Sequence, residues 1–95
     1  MRILPAAESD IVQARDYYRE QEDLGEALLE ELDACFARVS ENPLSYAEVE
    51  PGIRRALLHR FPFIVFYTFH EDVVVVLAII HAAQDPEYVR SRLDA

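Results

Sequence analysis

Residues 52–82 have the sequence GIRRALLHRFPFIVFYTFHEDVVVVLAIIHA, and this stretch decides the fold. Residues 63–69 and 73–80 are almost entirely β-branched, aliphatic or aromatic, which is the composition of β-strands. Only the polar residues 70–72 separate the two runs, and such a short link predicts an antiparallel hairpin. Most of the β-forming sequence of the chain is therefore concentrated in one place.

The composition of these strands also predicts how they are covered. Neither 63–69 nor 73–80 alternates between polar and apolar residues, and a strand that is apolar on both faces has to be covered on both faces. Residues 53–59 add a third candidate strand, which Pro62 separates from the next one. The rest of the chain can supply one cover, so we expect the second cover to come in part from a partner molecule.

The residues before this stretch predict two amphipathic helices. Within residues 6–21 the apolar positions recur at spacings of four, three and four residues, at Ala7, Ile11, Ala14 and Tyr18. Within residues 26–40 the corresponding stripe consists of Leu28, Leu32, Cys35, Phe36 and Val39. The break at residues 23–25 is short, so the helices should form an antiparallel hairpin. The dipeptide Asn42-Pro43 ends the second helix, because the residue before a proline is pushed out of the helical region.

The remaining segments complete an α+β fold. Residues 2–4 are a candidate edge strand, and residues 44–51 are expected to be an irregular connection. Residues 85–92 predict a short C-terminal helix, with Asp85 as its N-cap and Pro86 at its first position. We therefore expect all 95 residues to form a single domain. In it an N-terminal helical hairpin packs on a small antiparallel β-sheet, and a short C-terminal helix follows.

The net charge of −9 is unevenly distributed along the chain. Residues 8–41 carry eleven acidic residues against three arginines, whereas residues 42–95 are almost balanced. The acidic half should repel nucleic acid, so we expect no direct nucleic-acid binding. No apolar run is long enough to span a bilayer, and the N-terminus has no signal-peptide pattern. Together with a single cysteine, these features predict a cytoplasmic protein.

No pattern of residues indicates catalysis, a metal or a cofactor. Cys35 lies on an apolar helix stripe with nothing basic predicted beside it, which favours a buried structural thiol. His59, His70 and His81 lack the helical spacing of a metal site. With only two glycines, the sequence contains no P-loop and no dinucleotide-binding fingerprint, and no G-x-S-x-G motif is present. We therefore predict no catalytic residue, no metal site and no cofactor.

The arginines of the C-terminal half are the remaining candidates for a binding site: Arg54, Arg55, Arg60, Arg90 and Arg92. Guanidinium groups hold carboxylates and phosphates through paired hydrogen bonds. Arg54 and Arg55 are consecutive, so they point to opposite faces of a strand, and an arginine on an apolar face needs a partner. The alternative, that all five are surface residues that balance an acidic domain, remains open.

Several motifs resemble the RelE/ParE superfamily of type II toxin–antitoxin toxins, with the ParE branch as the closer likeness. They are G-I-R-R at 52–55, F-P-F-x-V-x-Y at 61–67, the aliphatic strand ending in His81, the dipeptide Asp85-Pro86, and Arg92. The resemblance implies a small bacterial toxin with a helical hairpin on an antiparallel sheet. It also implies a ParD-like antitoxin in a hetero-oligomer, whose C-terminal segment wraps the toxin and supplies the missing cover.

The superfamily contains two toxin chemistries. RelE-like members cut messenger RNA on the ribosome and carry basic residues at positions that align here with Arg55, Leu57, Ile64 and Ala83, of which only the first is basic. ParE-like members bind DNA gyrase and need no catalytic residue of their own. The sequence therefore favours a gyrase-binding toxin of a plasmid-stabilisation system. A ribosome-dependent endoribonuclease and a non-toxic antitoxin-binding relative are the alternatives.

The resemblance and the arginines together give a set of expected contacts to the antitoxin or the target: Arg54, Arg55, Arg60, Phe63, Phe66, His81, Gln84, Tyr88, Arg90 and Arg92. Many members of the superfamily have H-x-x-R-x-P where residues 81–86 of this chain are HAAQDP. Gln84 therefore replaces an arginine of that motif.

Overall fold

The computed structural model describes residues 1–94. In chain order its elements are β1 (Arg2–Ile3), α1 (Pro5–Glu22), α2 (Gly25–Glu41), β2 (Glu48–Glu50), β3 (Ile53–Leu57), β4 (Phe63–His70), β5 (Val73–His81) and α3 (Pro86–Asp94). The five strands form one sheet in the order β1-β5-β4-β3-β2. β1 runs parallel to β5, and every other neighbouring pair is antiparallel. The α+β class, the two helices, the edge strand at the N-terminus and the C-terminal helix are confirmed.

β2 corrects the expectation that residues 44–51 are irregular throughout. Glu48 pairs with Arg54 and Glu50 pairs with Ile53, with a shift of register between them. The Arg55 N–H also donates to the carbonyl oxygen of Ala47 at 3.1 Å. Two glutamates around one valine carry no strand signal of their own, so the pairing is set by the free edge of β3. Charged residues on such a short strand suit the edge of a sheet.

The hairpin of β4 and β5 forms where the sequence places it. His70 pairs with Val73, so the loop consists of Glu71 and Asp72 alone. Their φ angles are 51° and 64°, the left-handed conformation that a two-residue hairpin turn of type I′ requires at both positions. Asparagine and glycine are the usual residues there, so this turn is held by the strands on either side of it.

The helical hairpin covers one face of the sheet through the predicted apolar stripes. Ala7, Leu28 and Cys35 are completely buried, and α1 and α2 are each two residues longer than the sequence predicts. Gly25 allows α2 to begin directly against α1, because a Cβ atom there would lie 3.1 Å from the Arg15 carbonyl oxygen. The core on this face continues into β4 through Val65.

The opposite face of the sheet, here called the far face, is covered much less completely. Its buried cluster is small and consists of Phe66, Ala78 and Ile80, with Val89 and Leu93 of α3 packed against it. α3 has no buried residue. Leu57, which points to this face in alternation with Ala56 on the other, is 53% exposed. The expected shortage of cover is therefore located on the far face.

No helix within residues 1–94 is long and apolar enough to cross a membrane.

Candidate binding site

A groove of about 320 Å³ runs between the far face and α3, and we call it the sheet groove. Ile64, Phe66 and Ile80 form its floor, and Val89 and Leu93 of α3 contribute to its wall. Phe66 and Ile80 are buried, whereas Ile64 is half-buried. The groove exists because the nine-residue helix α3 does not cover the whole face that β3, β4 and β5 build. Its floor is apolar, and of these three residues only Ile64 is partly open to solvent.

The sheet groove is lined by two arginines that have no side-chain partner among the described residues. Arg55 of β3 and Arg90 of α3 both line it, and both are exposed. Within residues 1–94 neither guanidinium makes a hydrogen bond or an ion pair. Glu50 of β2 is the one acidic residue among the described residues that line the groove. The groove therefore combines an apolar floor with an excess of positive charge, in a chain whose net charge is −9.

A second concavity, the helix pocket, lies between α1, the end of β5 and α3, and has a volume of about 340 Å³. Part of its lining is a series of edge-to-face rings. The ring centroids of Tyr17 and Tyr18 are 5.2 Å apart, those of Tyr18 and Phe63 are 6.1 Å apart, and those of Phe63 and His81 are 5.4 Å apart. Such pairs add stabilisation beyond the area that they bury. These rings join α1 to the ends of β4 and β5.

The helix pocket also contains the most buried ion pair of the described chain. Arg92 of α3 donates from Nη1 to Oδ1 of Asp10 at 3.1 Å and from Nη2 to Oδ2 at 2.8 Å. The side chains of Asp10 and Arg92 are 14% and 20% exposed, respectively. The Ile79 N–H donates to Oδ2 of Asp10 at 2.9 Å, and Arg92 also donates to the Tyr88 hydroxyl at 2.9 Å. One carboxylate thus connects α1, β5 and α3.

The hydrogen bond to Asp10 raises the pKa of Arg92 further above its already high ordinary value, and the contact with Tyr88 adds to this shift. Burial acts in the opposite direction but is the smaller effect. The guanidinium therefore stays charged and fully engaged inside the fold. Arg92 acts first as a structural tether for α3, because it is the residue that binds α3 to α1.

The structure does not bring the five sequence-predicted arginines together. Arg54 points to the helical side of the sheet, where it donates to the carbonyl oxygens of Leu44 at 3.2 Å and Tyr46 at 2.6 Å and to Glu48 at 3.2 Å. Arg60 lies in the loop after β3, with its guanidinium carbon 5.6 Å from the centre of the Phe61 ring. Only Arg55 and Arg90 share one cavity. Of the Arg54–Arg55 pair it is Arg54 that is engaged, whereas Arg55, which points to the apolar far face, has no side-chain partner among the described residues.

The other sequence-predicted residues divide between the two cavities. Phe66 lies in the sheet groove, whereas Phe63 and Tyr88 line the helix pocket. His81 and Gln84 are exposed and line both cavities, so they form the ridge between them. Nδ1 of His81 accepts a hydrogen bond from the Ala83 N–H at 3.0 Å, which fixes the ring at the end of β5.

Two of the positions at which RelE-like relatives carry cations, Leu57 and Ile64, form part of the apolar far face here. Leu57 of β3 pairs directly with Ile64 of β4, and Ala83 is exposed just after β5. RNA cleavage requires cationic groups around the scissile bond, because they stabilise the charge that develops on the phosphate and the leaving group. Of the four aligned positions only Arg55 offers one. Within residues 1–94 there is also no group of three His, Cys, Asp or Glu side chains that could hold a metal ion.

Two residues with structural roles were missed from the sequence, although the sequence contained a signal for both. Asp10 lies on the apolar stripe of α1, three residues after Ala7 and four before Ala14, and it accepts the Ile79 N–H. Glu31 has the corresponding place on α2, and its carboxylate accepts the N–H groups of His59 and Arg60. A carboxylate within an apolar stripe faces the rest of the fold and needs hydrogen-bond donors there, so its position on the stripe is itself the signal.

Two buried titratable groups remain in their neutral forms. Burial raises the pKa of the Cys35 thiol, which agrees with a structural role for this residue. Burial also raises the pKa of Tyr67 to about 12, although the charge of Arg54 acts against the shift. The Tyr67 hydroxyl donates to the Pro43 carbonyl oxygen at 2.6 Å, so it ties β4 to the segment that follows α2.

A helical hairpin on one face of a short mixed sheet, with a groove under a C-terminal helix on the other, defines a small α+β fold. The family model described as "ParE toxin of type II toxin-antitoxin system, parDE" matches residues 1–86. The chain belongs to this family. The matched residues include β1 to β5 and the ridge of His81 and Gln84, and they end where α3 begins.

A solved structure, "Chromosomal ParDE TA system from P. aeruginosa", has a similar fold. It matches with a TM-score of 0.64 and 19% sequence identity, over 84% of this chain and 91% of that chain. At this identity the similarity concerns the fold. No curated protein matches the sequence.

Proposed function

We propose that this chain is the toxin of a bacterial type II toxin–antitoxin pair, and that a ParD-like antitoxin holds it in a hetero-oligomer. The family membership supports the class of protein. The observation that carries the proposal is the incomplete cover of the far face, where Leu57 is 53% exposed beside an open groove. An apolar face of this kind in a small protein marks a site of protein association. The proposed location is the bacterial cytoplasm.

We further propose that the toxin acts by binding DNA gyrase and not by cutting RNA, and that it serves to stabilise a plasmid. The apolar pair Leu57 and Ile64 supports this branch, because an endoribonuclease of RelE type would need cations there. Removing a single transition-state donor costs about 2.7–4 kcal/mol in enzymes that depend on one. Two missing cations on one sheet face would leave such a catalyst very slow.

The proposed contacts with the antitoxin are those around the sheet groove: Arg55, Phe66, His81, Gln84 and Arg90. Phe66 is buried, so its part is to shape the floor and not to reach toward the partner. Phe63 and Tyr88 lie at the helix pocket, next to the same ridge, and are proposed as part of the surface offered to the target. Arg92 also lines this pocket, and its part in the proposal is to hold α3 in place through Asp10. Arg54 and Arg60 are proposed to contribute less to binding, because Arg54 is hydrogen-bonded to the Tyr46 carbonyl oxygen and the Arg60 guanidinium lies over the Phe61 ring.

The test is expression of the chain in bacteria with and without the antitoxin gene that lies beside it. We expect growth arrest without the antitoxin and normal growth with it. Purified toxin should then trap gyrase on cleaved plasmid DNA and leave messenger RNA intact on programmed ribosomes. Cuts in the ribosomal A site, lost in Arg55→Ala, would establish the endoribonuclease instead. Growth that continues without the antitoxin, with tight antitoxin binding in vitro, would identify a non-toxic relative.

A further inference from the structure

We propose that the helix pocket takes an arginine side chain presented by a protein partner of this chain. In this arrangement the guanidinium group lies against the tyrosine rings of α1 and α3, and the polypeptide that carries it stays outside the pocket. The partner is taken to be the target of the toxin, and in this respect alone the proposal rests on the proposed function. The lining of the pocket and the charges around it carry the argument.

The lining of the helix pocket is rich in aromatic rings that remain open to solvent. Tyr17 of α1 is 58% exposed and Tyr88 of α3 is 42% exposed, so a phenol ring stands on each of the two helical walls. Tyr18, Phe63 and His81 continue the aromatic lining between them. The faces of such rings are electrostatically negative and attract cations, arginine more often than lysine. The pocket therefore offers aromatic surface of the kind that binds an organic cation.

The formal charges inside the helix pocket cancel. Among the described residues that line it, Asp10 and Arg92 are the two charged ones, and they neutralise each other through two hydrogen bonds. The guanidinium carbon of Arg92 also lies 5.8 Å from the centre of the Tyr88 ring, so this lining already accommodates one guanidinium group. A second cation meets no uncompensated positive charge from Arg92.

The rim of the pocket on α1 is acidic. Glu20 follows Tyr17 by three residues, so its carboxylate lies one turn further along the same side of the helix. Glu22 follows Tyr18 by four residues and has the same relation to it. The pKa of the Tyr18 hydroxyl is raised first by burial and then by the charge of Glu22, so the field of this carboxylate reaches the pocket. These carboxylates outnumber Arg19, the one arginine of the same turn, and attract an approaching cation.

Two further features favour the arginine of a partner over a lysine or a free small molecule. Gln13 and Gln84 add neutral amides to the lining, and Gln13 donates from Nε2 to Ser9 at 3.1 Å, which leaves its Oε1 to accept. A guanidinium has five donors in one plane and stacks on rings, whereas an ammonium is a strongly hydrated point charge. Sites for small molecules enclose most of the ligand, whereas both helical walls are open here. A side chain whose backbone stays in solvent fits this geometry.

The first arm of the experiment measures peptide binding to the full chain, which is held at low density on a sensor surface so that copies stay apart. The probes are a short Gly/Ser peptide with one central arginine, the same peptide with lysine or with citrulline at that place, and an oligonucleotide. We expect the arginine peptide to bind, more weakly at higher salt, and the lysine peptide to bind less well. The citrulline peptide, which has nearly the same shape without the charge, and the oligonucleotide should not bind.

Variants of the chain test the rings and the rim separately. Tyr17→Leu should weaken binding of the arginine peptide at least about threefold, and Tyr17→Phe, which keeps the ring, should restore it. Glu20→Gln with Glu22→Gln should weaken binding about threefold at low salt and less at high salt. The matched control is Glu71→Gln with Asp72→Asn, which removes two charges at the other end of the nine-residue strand β5 and should stay within about 1.5-fold. All these positions are exposed, and circular dichroism melting checks that each variant is folded.

The second arm asks whether the partner is the target of the toxin. The unmodified chain, Tyr17→Leu and Tyr17→Phe are each expressed in bacteria without the antitoxin. We expect growth arrest by the unmodified chain and by Tyr17→Phe, and growth in the presence of Tyr17→Leu. Growth arrest by a folded Tyr17→Leu variant as strong as that by the unmodified chain would overturn the assignment of the pocket to the target.

The two arms separate the possible failures. The arginine assignment is wrong if the citrulline or the lysine peptide binds as well as the arginine peptide, if no peptide binds, or if the oligonucleotide binds in a manner that requires Tyr17. Growth arrest by the unmodified chain leaves the proposed function standing in each of these cases. If the unmodified chain does not arrest growth, the proposed toxicity is wrong and the peptides alone decide whether the pocket takes an arginine.

Discussion

Breaking the Asp10–Arg92 pair should destabilise this protein much more than breaking a surface ion pair. Solvent-exposed pairs contribute about 0–1 kcal/mol, whereas removing one partner of a fully buried pair costs about 3–5 kcal/mol. Here the side chains are 14% and 20% exposed and joined by two hydrogen bonds, so the pair lies nearer the buried limit. We expect Asp10→Asn to lower the free energy of unfolding by about 2–3 kcal/mol.

The choice of substitution separates the charge from the hydrogen bonds. Asp10→Asn keeps an acceptor for the Ile79 N–H, whereas Asp10→Ala leaves that amide unpaired and should cost about 1 kcal/mol more. Arg92→Met keeps most of the aliphatic stem and removes only the guanidinium. The control is Arg90→Met on the same helix, which loses a charge that has no partner within residues 1–94 and should change stability by less than about 0.5 kcal/mol.

Urea unfolding of the two single variants and of Asp10→Asn with Arg92→Met completes a double-mutant cycle. We expect the double variant to be less destabilised than the sum of the singles by at least about 1 kcal/mol. Hydrogen exchange should also show that Arg92→Met releases the amides of α3 before those of β4, because α3 has no buried residue of its own. Additivity within about 0.5 kcal/mol would refute the view that this pair tethers α3.

Four other predictions follow from the fold. Leu32→Ala should lower the free energy of unfolding by about 2–5 kcal/mol in chemical denaturation, since Leu32 is 2% exposed, and a loss near zero would contradict its burial. Glu71→Asn with Asp72→Gly should raise the melting temperature, by relieving two positive φ angles worth about 0.4–1 kcal/mol. The free energy of unfolding should fall as the pH rises from 10 to about 12, because the unfolded chain loses the Tyr67 proton near pH 10 whereas the folded chain keeps it up to a pKa of about 12. Over this range the unmodified protein should lose roughly 2–3 kcal/mol more than Tyr67→Phe. Finally, the isolated chain should self-associate in sedimentation experiments and become monodisperse with antitoxin; a stable monomer that ignores the antitoxin would count against an uncovered far face.

The elements that could be predicted from the sequence are those whose signal is local. The apolar stripes of α1 and α2, the composition of β4 and β5, and the Asp85-Pro86 helix start each appear within one short window. β2 has no such signal, because its residues pair only after β3 offers a free edge. The parallel pairing of β1 with β5 likewise brings together Arg2 and Val75, which are far apart in the sequence, and no local pattern predicts it.

The candidate site shows the same division between local and long-range information. The sequence identifies arginines as the cations of the C-terminal half, but it cannot sort the free from the engaged. Arg92 is engaged because Asp10 meets it from the other end of the chain, and Arg54 because the carbonyl groups of Leu44 and Tyr46 turn toward it. Both partners are assembled by tertiary packing. The sequence shows that Arg54 and Arg55 point to opposite faces of a strand, but only the register of β3 on β4 shows which of the two faces the helical side.

The distribution of charge gives the two faces of the sheet different accessibility to a partner. Residues 8–41, which build the helical hairpin, carry eleven acidic residues against three arginines. An acidic segment is repelled from that side and meets a lower negative potential at the far face, where Arg55 and Arg90 have no side-chain partner within residues 1–94. The apolar floor alone would accept many partners, including a second copy of this chain. Because the net charge is −9, two copies repel each other over their helical surfaces, so self-association through the far face works against this charge.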